Sequence, residues 1–175
     1  MNGSAKVSVR RRRQSGGNTF IEWMFTLLPS MAILTFFFDV SFAMFSWGTI
    51  QNAAREGCRY AITFQTSGTN GQDASVAQVV QQYGMGLLAT NSPLIHVNYF
   101  TPAAPNTAIP AGASPAGNVP GNIVEVSVQA YPLTWMFPIS STIANPFRST
   151  SPANISVYSS DILGGFPAGV VSVSR

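Results

Sequence analysis

Apolar and polar positions divide this chain unevenly. No charge occurs from Trp23 to Phe38, and after Asp39 the apolar run resumes as VSFAMFSW, ending at Trp47. As a helix, that stretch of about 25 residues covers roughly 37 Å, enough to cross a hydrocarbon core of about 30 Å. The apolar part of a cleavable signal segment is only about 7–15 residues long, so 23–47 reads as a transmembrane span. The helical period does not stop there. In GTIQNAAREGCRYAITFQ, Ile50, Ala54, Gly57, Ala61 and Phe64 share one face, while Gln51, Arg55, Glu56 and Arg59 share another. The pattern predicts one long helix over 18–65, with Glu56 and Arg59 as an i,i+3 pair. The small residues Ala53, Ala54, Gly57 and Cys58 permit close approach of another surface, and the chain's own C-terminal domain is the expected one.

Beyond residue 65 the periods change. TSGTNGQD (66–73) is a loop by composition, and Asp73 is placed to cap a second helix in SVAQVVQQYGMGLL, with Val76, Val79, Val80, Tyr83 and Leu87 on one side. Pro93 closes that segment and LIHVNYF reads as a strand. Residues 101–121, rich in Pro, Ala and Gly, are expected to form a long loop. In NIVEVSVQAYPL, Val124, Val126, Val128 and Ala130 alternate with Glu125, Ser127 and Gln129, a half-buried period of two that ends at Pro132. PLTWMFPISSTIANPF is expected to be irregular or a short helical turn, and ISVYSSDI another strand. The fold class is therefore α+β: a long N-terminal transmembrane helix running into a small domain (66–175) with a short helix and a small antiparallel sheet packed on the emerging helix.

Charge sharpens this picture. Charged residues are only 9% of the chain, against roughly 25% in ordinary soluble domains. The formal net charge of +3 is a local matter, because Lys6 and Arg10 to Arg13 all precede Glu22. This is an N-terminal address, with no broad basic face for nucleic acid behind it. Positive charge before the span predicts a cytoplasmic N-terminus and places the bulk of the chain across the membrane.

Chemistry of the enzymatic kind is hard to assemble. The one cysteine, Cys58, excludes an intrachain disulfide framework. One histidine, His96, in an alternating strand, reads as a surface or pocket residue in preference to a metal ligand or general base. No catalytic triad, metal site or phosphate loop emerges, so neither an enzyme nor a cofactor is expected. Two residues of the span remain unusual. Pro29 removes an intrahelical hydrogen bond. Asp39 lies about 24 Å along the helix from Trp23, where it is either an interfacial carboxylate or faces a partner helix. Glu22, at the mouth of the span, has a simple account as an acidic residue favoured by the helix dipole.

Taken together, RRRRQSGGNTFIEWMF, Pro29, Asp39 and QNAAREGCRYA resemble the TadE-like family, pilin-like accessory proteins of tight-adherence (Flp-type) pilus systems. GGNTFIE is similar to the site at which a membrane aspartyl prepilin peptidase cuts after a Gly, with Glu fifth in the mature chain. Cutting after Gly17 makes Asn18 the first residue and Glu22 the fifth; cutting after Gly16 would make Glu22 sixth. The resemblance covers residues 10–65 and implies a basic leader (1–17), a processing and assembly set of Gly17, Asn18 and Glu22, and helix packing at Pro29, Asp39, Ala54, Arg55, Glu56 and Gly57. Trp23-Met24 departs from the small or aromatic pair usual after the Glu, and Pro29 falls one position late.

The resemblance implies a structural function: a minor pilin or pseudopilin acting in assembly of an adhesion or secretion fibre. The implied partners are the membrane, the prepilin peptidase, other pilin-like subunits and the tight-adherence machinery, with no nucleic acid and no small-molecule substrate. The implied location is the bacterial inner membrane, single-pass, with a periplasmic C-terminal domain that enters a surface pilus or stays at its base. Two other readings stand beside it. One is a binding protein released by ordinary signal peptidase at SFA (41–43); the other is an unprocessed single-pass anchor bearing a binding domain.

Overall fold

Helix α1 spans Gly16–Ile62, and the apolar run predicted to be helical lies inside it. The computed structural model describes residues 16–67, 70–113, 116–133, 153–166, 168–169 and 173–175; the basic residues up to Arg13 and all but the first two residues of PLTWMFPISSTIANPF, expected to be irregular or a short helical turn, lie outside them. The chain divides into two compact units, Met1–Phe38 and Asp39–Arg175.

In the first unit, α1 exposes its side chains over 19–34 and 36–38, including Phe20, Trp23, Phe25 and Leu28. Among the described residues, α1 is the one helix long and apolar enough to cross a membrane, and it lies near the N-terminus. The backbone stays helical on both sides of Pro29. Thr26 Oγ1 donates to the Glu22 carbonyl at 3.1 Å and Thr35 Oγ1 to the Ala32 carbonyl at 2.9 Å. Both hydroxyls are thus satisfied by the helix itself, which an apolar surrounding requires.

In the second unit, the remainder of α1 becomes one-sided. Ile50, Ala53, Ala54, Cys58 and Ala61 are buried while Asn52, Arg55 and Arg59 are exposed. The helix ends at Ile62, short of the expected 65. Thr63 and Phe64 form a turn whose amides donate to the Tyr60 and Ala61 carbonyls at 3.2 Å. Phe64 adopts φ 53°, which breaks the helix and lets its ring meet Phe166, centroid to centroid, at 4.5 Å.

Helix α2 spans Gln72–Tyr83, earlier at both ends than the expected SVAQVVQQYGMGLL. Asp73 is not its cap: Gly71 holds that position, extended at φ −68° and ψ 171°, with no side-chain cap. Gly84 closes the helix by donating to the Val80 and Gln81 carbonyls, and positive φ at Met85 and Gly86 prevents its continuation. Val76 and Val80 are fully buried as expected, Val79 and Leu87 are half-buried, and Tyr83 is exposed. The buried face also includes Gln72 and Ser75, which no hydrophobic period could reveal.

The sheet is antiparallel, with strands β1 (Ile95–Thr101), β2 (Ala104–Ala108), β3 (Ile123–Pro132) and β4 (Asn154–Ile162) in the order β2-β1-β3-β4. Strand β2 corrects the expectation that 101–121 is wholly loop. Its sequence APNTA has no buried position, so it joins through backbone pairing to β1 and leaves no hydrophobic signature. The alternation predicted for β3 puts Val124, Val126 and Val128 inside, all fully buried, each stabilising by about 1.5–3 kcal/mol. It fails at Ala130. Between Val128 and Tyr131 the pairing with β4 shifts register, and Ala130, at φ 55°, is exposed. This is a bulge, in which two residues of β3 oppose one of β4 and the phase reverses. The amide of Ala130 donates to Ser156 Oγ at 3.1 Å. Ser127, expected on the open face, is fully buried and accepts from Gln129 Nε2 at 3.1 Å.

Candidate functional site

Gly17 and Asn18 fall within the first turns of α1, so the bond between them lies at the start of the helix. Glu22 is exposed and one helical turn beyond Asn18. Residues four apart on a helix face the same way, about 5–6 Å between Cβ atoms. Asn18 and Glu22, four positions apart, therefore lie on one face of α1. In α1 as it stands, Glu22 is the seventh residue and the first turn carries no acidic side chain. The helix-dipole effect fades within a turn, so the simple dipole account of Glu22 loses its basis.

The other sequence-derived positions separate by environment. Pro29 is exposed and Asp39 half-buried. Ala54 and Gly57 join the packing face, whereas Arg55 points outward and Glu56, half-buried, pairs with Arg59 at 3.4 Å. Gly57 has the tightest surroundings of this group. A Cβ there would collide with Val80 Cγ2 and lie 3.4 Å from Val126 and 3.6 Å from Val76. Glycine at this point lets α1 meet both α2 and β3, so the small-residue pattern serves the chain's own domain, as expected. Cys58, beside it, sits under β3 and β4. Burial pushes its thiol above the ordinary range; nearby Asp161 adds to this and a hydrogen bond with Ser159 partly opposes it. The thiol is therefore held protonated and unreactive.

A polar cluster that the hydrophobic pattern does not signal secures the domain. Asp73 accepts from Tyr99 Oη at 2.9 Å and from Arg175 Nε at 2.8 Å. Arg175 also donates to the Ile109 carbonyl at 3.0 Å and lies 4.7 Å from the Tyr99 ring centre. Burial, reinforced by the Asp73 carboxylate, raises the Tyr99 phenol well above its ordinary value, with Arg175 opposing. The amide of Gln72 donates to Ser174 O at 2.8 Å. Its side chain donates to the Ala61 carbonyl at 2.7 Å and accepts from Asn118 at 2.9 Å. A Cβ at Gly71 would strike the Arg175 backbone, so glycine is needed where the C-terminal segment 173–175 crosses the start of α2. The available sequence signal was scarcity: beyond residue 65 the cations are Arg148 and Arg175 alone, which leaves Asp73 few partners.

His96 is exposed on β1. Among the described residues, no three of His, Cys, Asp and Glu come together as metal ligands would. Compared with family models, with curated proteins and with solved structures, the chain gives no match.

Proposed function

We propose that this chain is a TadE-like minor pilin or pseudopilin, cut by a prepilin peptidase between Gly17 and Asn18, that takes part in assembling a tight-adherence pilus. The observation that carries the reading is the position of Glu22: a carboxylate one turn from Asn18, at the mouth of an exposed apolar helix. Cleavage would create an ammonium at Asn18 beside it. A carboxylate in an apolar medium is costly unless paired, so Glu22 would neutralise that amine or the amine of a neighbouring subunit. Removal of the arginines would free the helix from its cytoplasmic anchor. On this reading α1 crosses the bacterial inner membrane once, the unit beginning at Asp39 faces the periplasm, and the partners are the membrane, the peptidase, other pilin-like subunits and the assembly machinery. The role is structural, without enzymatic activity, cofactor, nucleic acid or small-molecule substrate.

Helical continuity through Ser41–Ala43 counts against release by signal peptidase. N-terminal sequencing of the mature protein separates the readings. A start at Asn18 supports the pilin reading, one near Met44 supports a secreted binding protein, and an intact Met1 supports a simple anchor. Gly17 replaced by a bulky residue should block processing, and Glu22→Ala should impair assembly; normal fibres from both variants would contradict the motif.

A further inference from the structure

Hydrolysis of a peptide bond needs its carbonyl free. Water attacks the carbon, and the oxygen takes up charge that donors of the enzyme must stabilise. A carbonyl inside an α-helix is already bonded to the amide four residues on and is walled in by the next turn. Helix α1 begins at Gly16, so its pattern bonds the carbonyls of Gly16 and Gly17 to the amides of Phe20 and Ile21. The Gly17–Asn18 bond thus lies within the first turn, which must open before that bond is reached. Two features make opening easy. The first turn carries no acidic side chain to hold its free amides. Its first two residues are both glycine, the residue that loses most backbone freedom on entering a helix.

We propose that Gly16 is a positioning residue for this cleavage: it weakens the first turn of α1, so that the chain opens and presents the Gly17–Asn18 bond extended to the peptidase. The inference rests on the processing reading above and adds a residue to it, since Gly17 alone precedes the cut. Opening frees the Gly16 and Gly17 carbonyls. Water then adds to the Gly17 carbonyl carbon and the C–N bond to Asn18 breaks. The hydroxyl stays on Gly17, the other proton goes to the Asn18 nitrogen, and the new carboxyl and amine ionise to carboxylate and ammonium. The peptidase's aspartates move the protons, and no other reactant is needed. Alanine at position 16 would make the open turn rarer, by up to about fivefold, while leaving the bond that breaks unchanged.

The test measures kcat/KM for cleavage of the full-length chain by a prepilin peptidase in phosphatidylglycerol and phosphatidylethanolamine vesicles. The substrates are the parent, Gly16→Ala and Gly16→Val. All give the same mature chain, because residue 16 leaves with the leader. Helix propensity orders the rates Gly, Val, Ala, with Ala slowest by about two- to fivefold. A pocket that only tolerates small residues would order them Gly, Ala, Val. In nanodiscs of the same lipids, amide exchange at Phe20 and Ile21 should slow in Gly16→Ala by the factor seen in cleavage, because both pass through the opened turn. Val cut more slowly than Ala, equal rates for all, or slower cleavage with unchanged exchange would each overturn the proposal. A parent chain left uncut at Gly17–Asn18 would overturn the processing reading itself, and the proposal with it.

Discussion

Tyr99 illustrates how much one side chain can carry in a domain with few charges. Its ring is fully buried, its hydroxyl donates to Asp73, and Arg175 lies over its face. The phenol's ionisation is raised by burial and by Asp73, so the sign of the pH effect follows. The unfolded chain releases the proton near the ordinary value of about 10, whereas the folded chain keeps it. The stabilisation is complete below that pH and is lost as pH rises through and beyond it, by up to about 1.4 kcal/mol per unit. Urea unfolding between pH 8 and 12 should show this loss, and Tyr99→Phe should shrink the alkaline slope. A variant with the parent's slope would remove Tyr99 from the account. At Gly57 two effects compete. Alanine gains about 1 kcal/mol of helix propensity, but overpacking a filled core costs about 1–3 kcal/mol. Val80 is β-branched and fully buried, so it cannot turn aside, and overpacking should win. Gly57→Ala is expected to be destabilising, and the double variant with Val80→Ala should lose less than the sum of the singles; strict additivity would contradict the contact.

At the scale of elements, α2 is positioned by its N-terminal surroundings more than by its own sequence. It has no side-chain cap, so its first turn depends on Gln72, Asp73 and the C-terminal segment 173–175. Arg175→Ala removes an ion pair, a hydrogen bond and a cation–π contact; with the pair partly exposed, about 2 kcal/mol of stability should go. Hydrogen exchange should quicken first at the amides of Ser75 and Val76, and unchanged protection there would contradict the clasp. These contacts also mark the limits of sequence reasoning. Helix α1, the valine face of β3 and the strands β1 and β4 were legible, because long apolar runs and strict alternation are dictated by burial. Strand β2 was not, since it buries no side chain. Asp73 reads locally as a cap, and only a partner 102 positions away gives it another role. Ala130 continues the alternation in sequence, but the bulge reverses it. Tyr83 likewise fits the apolar period of α2 and yet faces outward.

For the whole molecule, apolar surface is distributed unevenly between the two units. The first unit exposes large apolar side chains along 19–38, while the second buries a core of valine, alanine and tyrosine beneath its sheet. The central claim joins these halves to one chemical event: a cut that leaves a new amine opposite Glu22. The most direct test is intact-mass spectrometry of the full chain produced with an active prepilin peptidase and, in parallel, with its aspartates inactivated. The account predicts that the active enzyme alone yields a chain beginning at Asn18, and that enlarging Gly17 abolishes this product. A chain that keeps Met1 beside the active enzyme, or is cut at another bond, would contradict it.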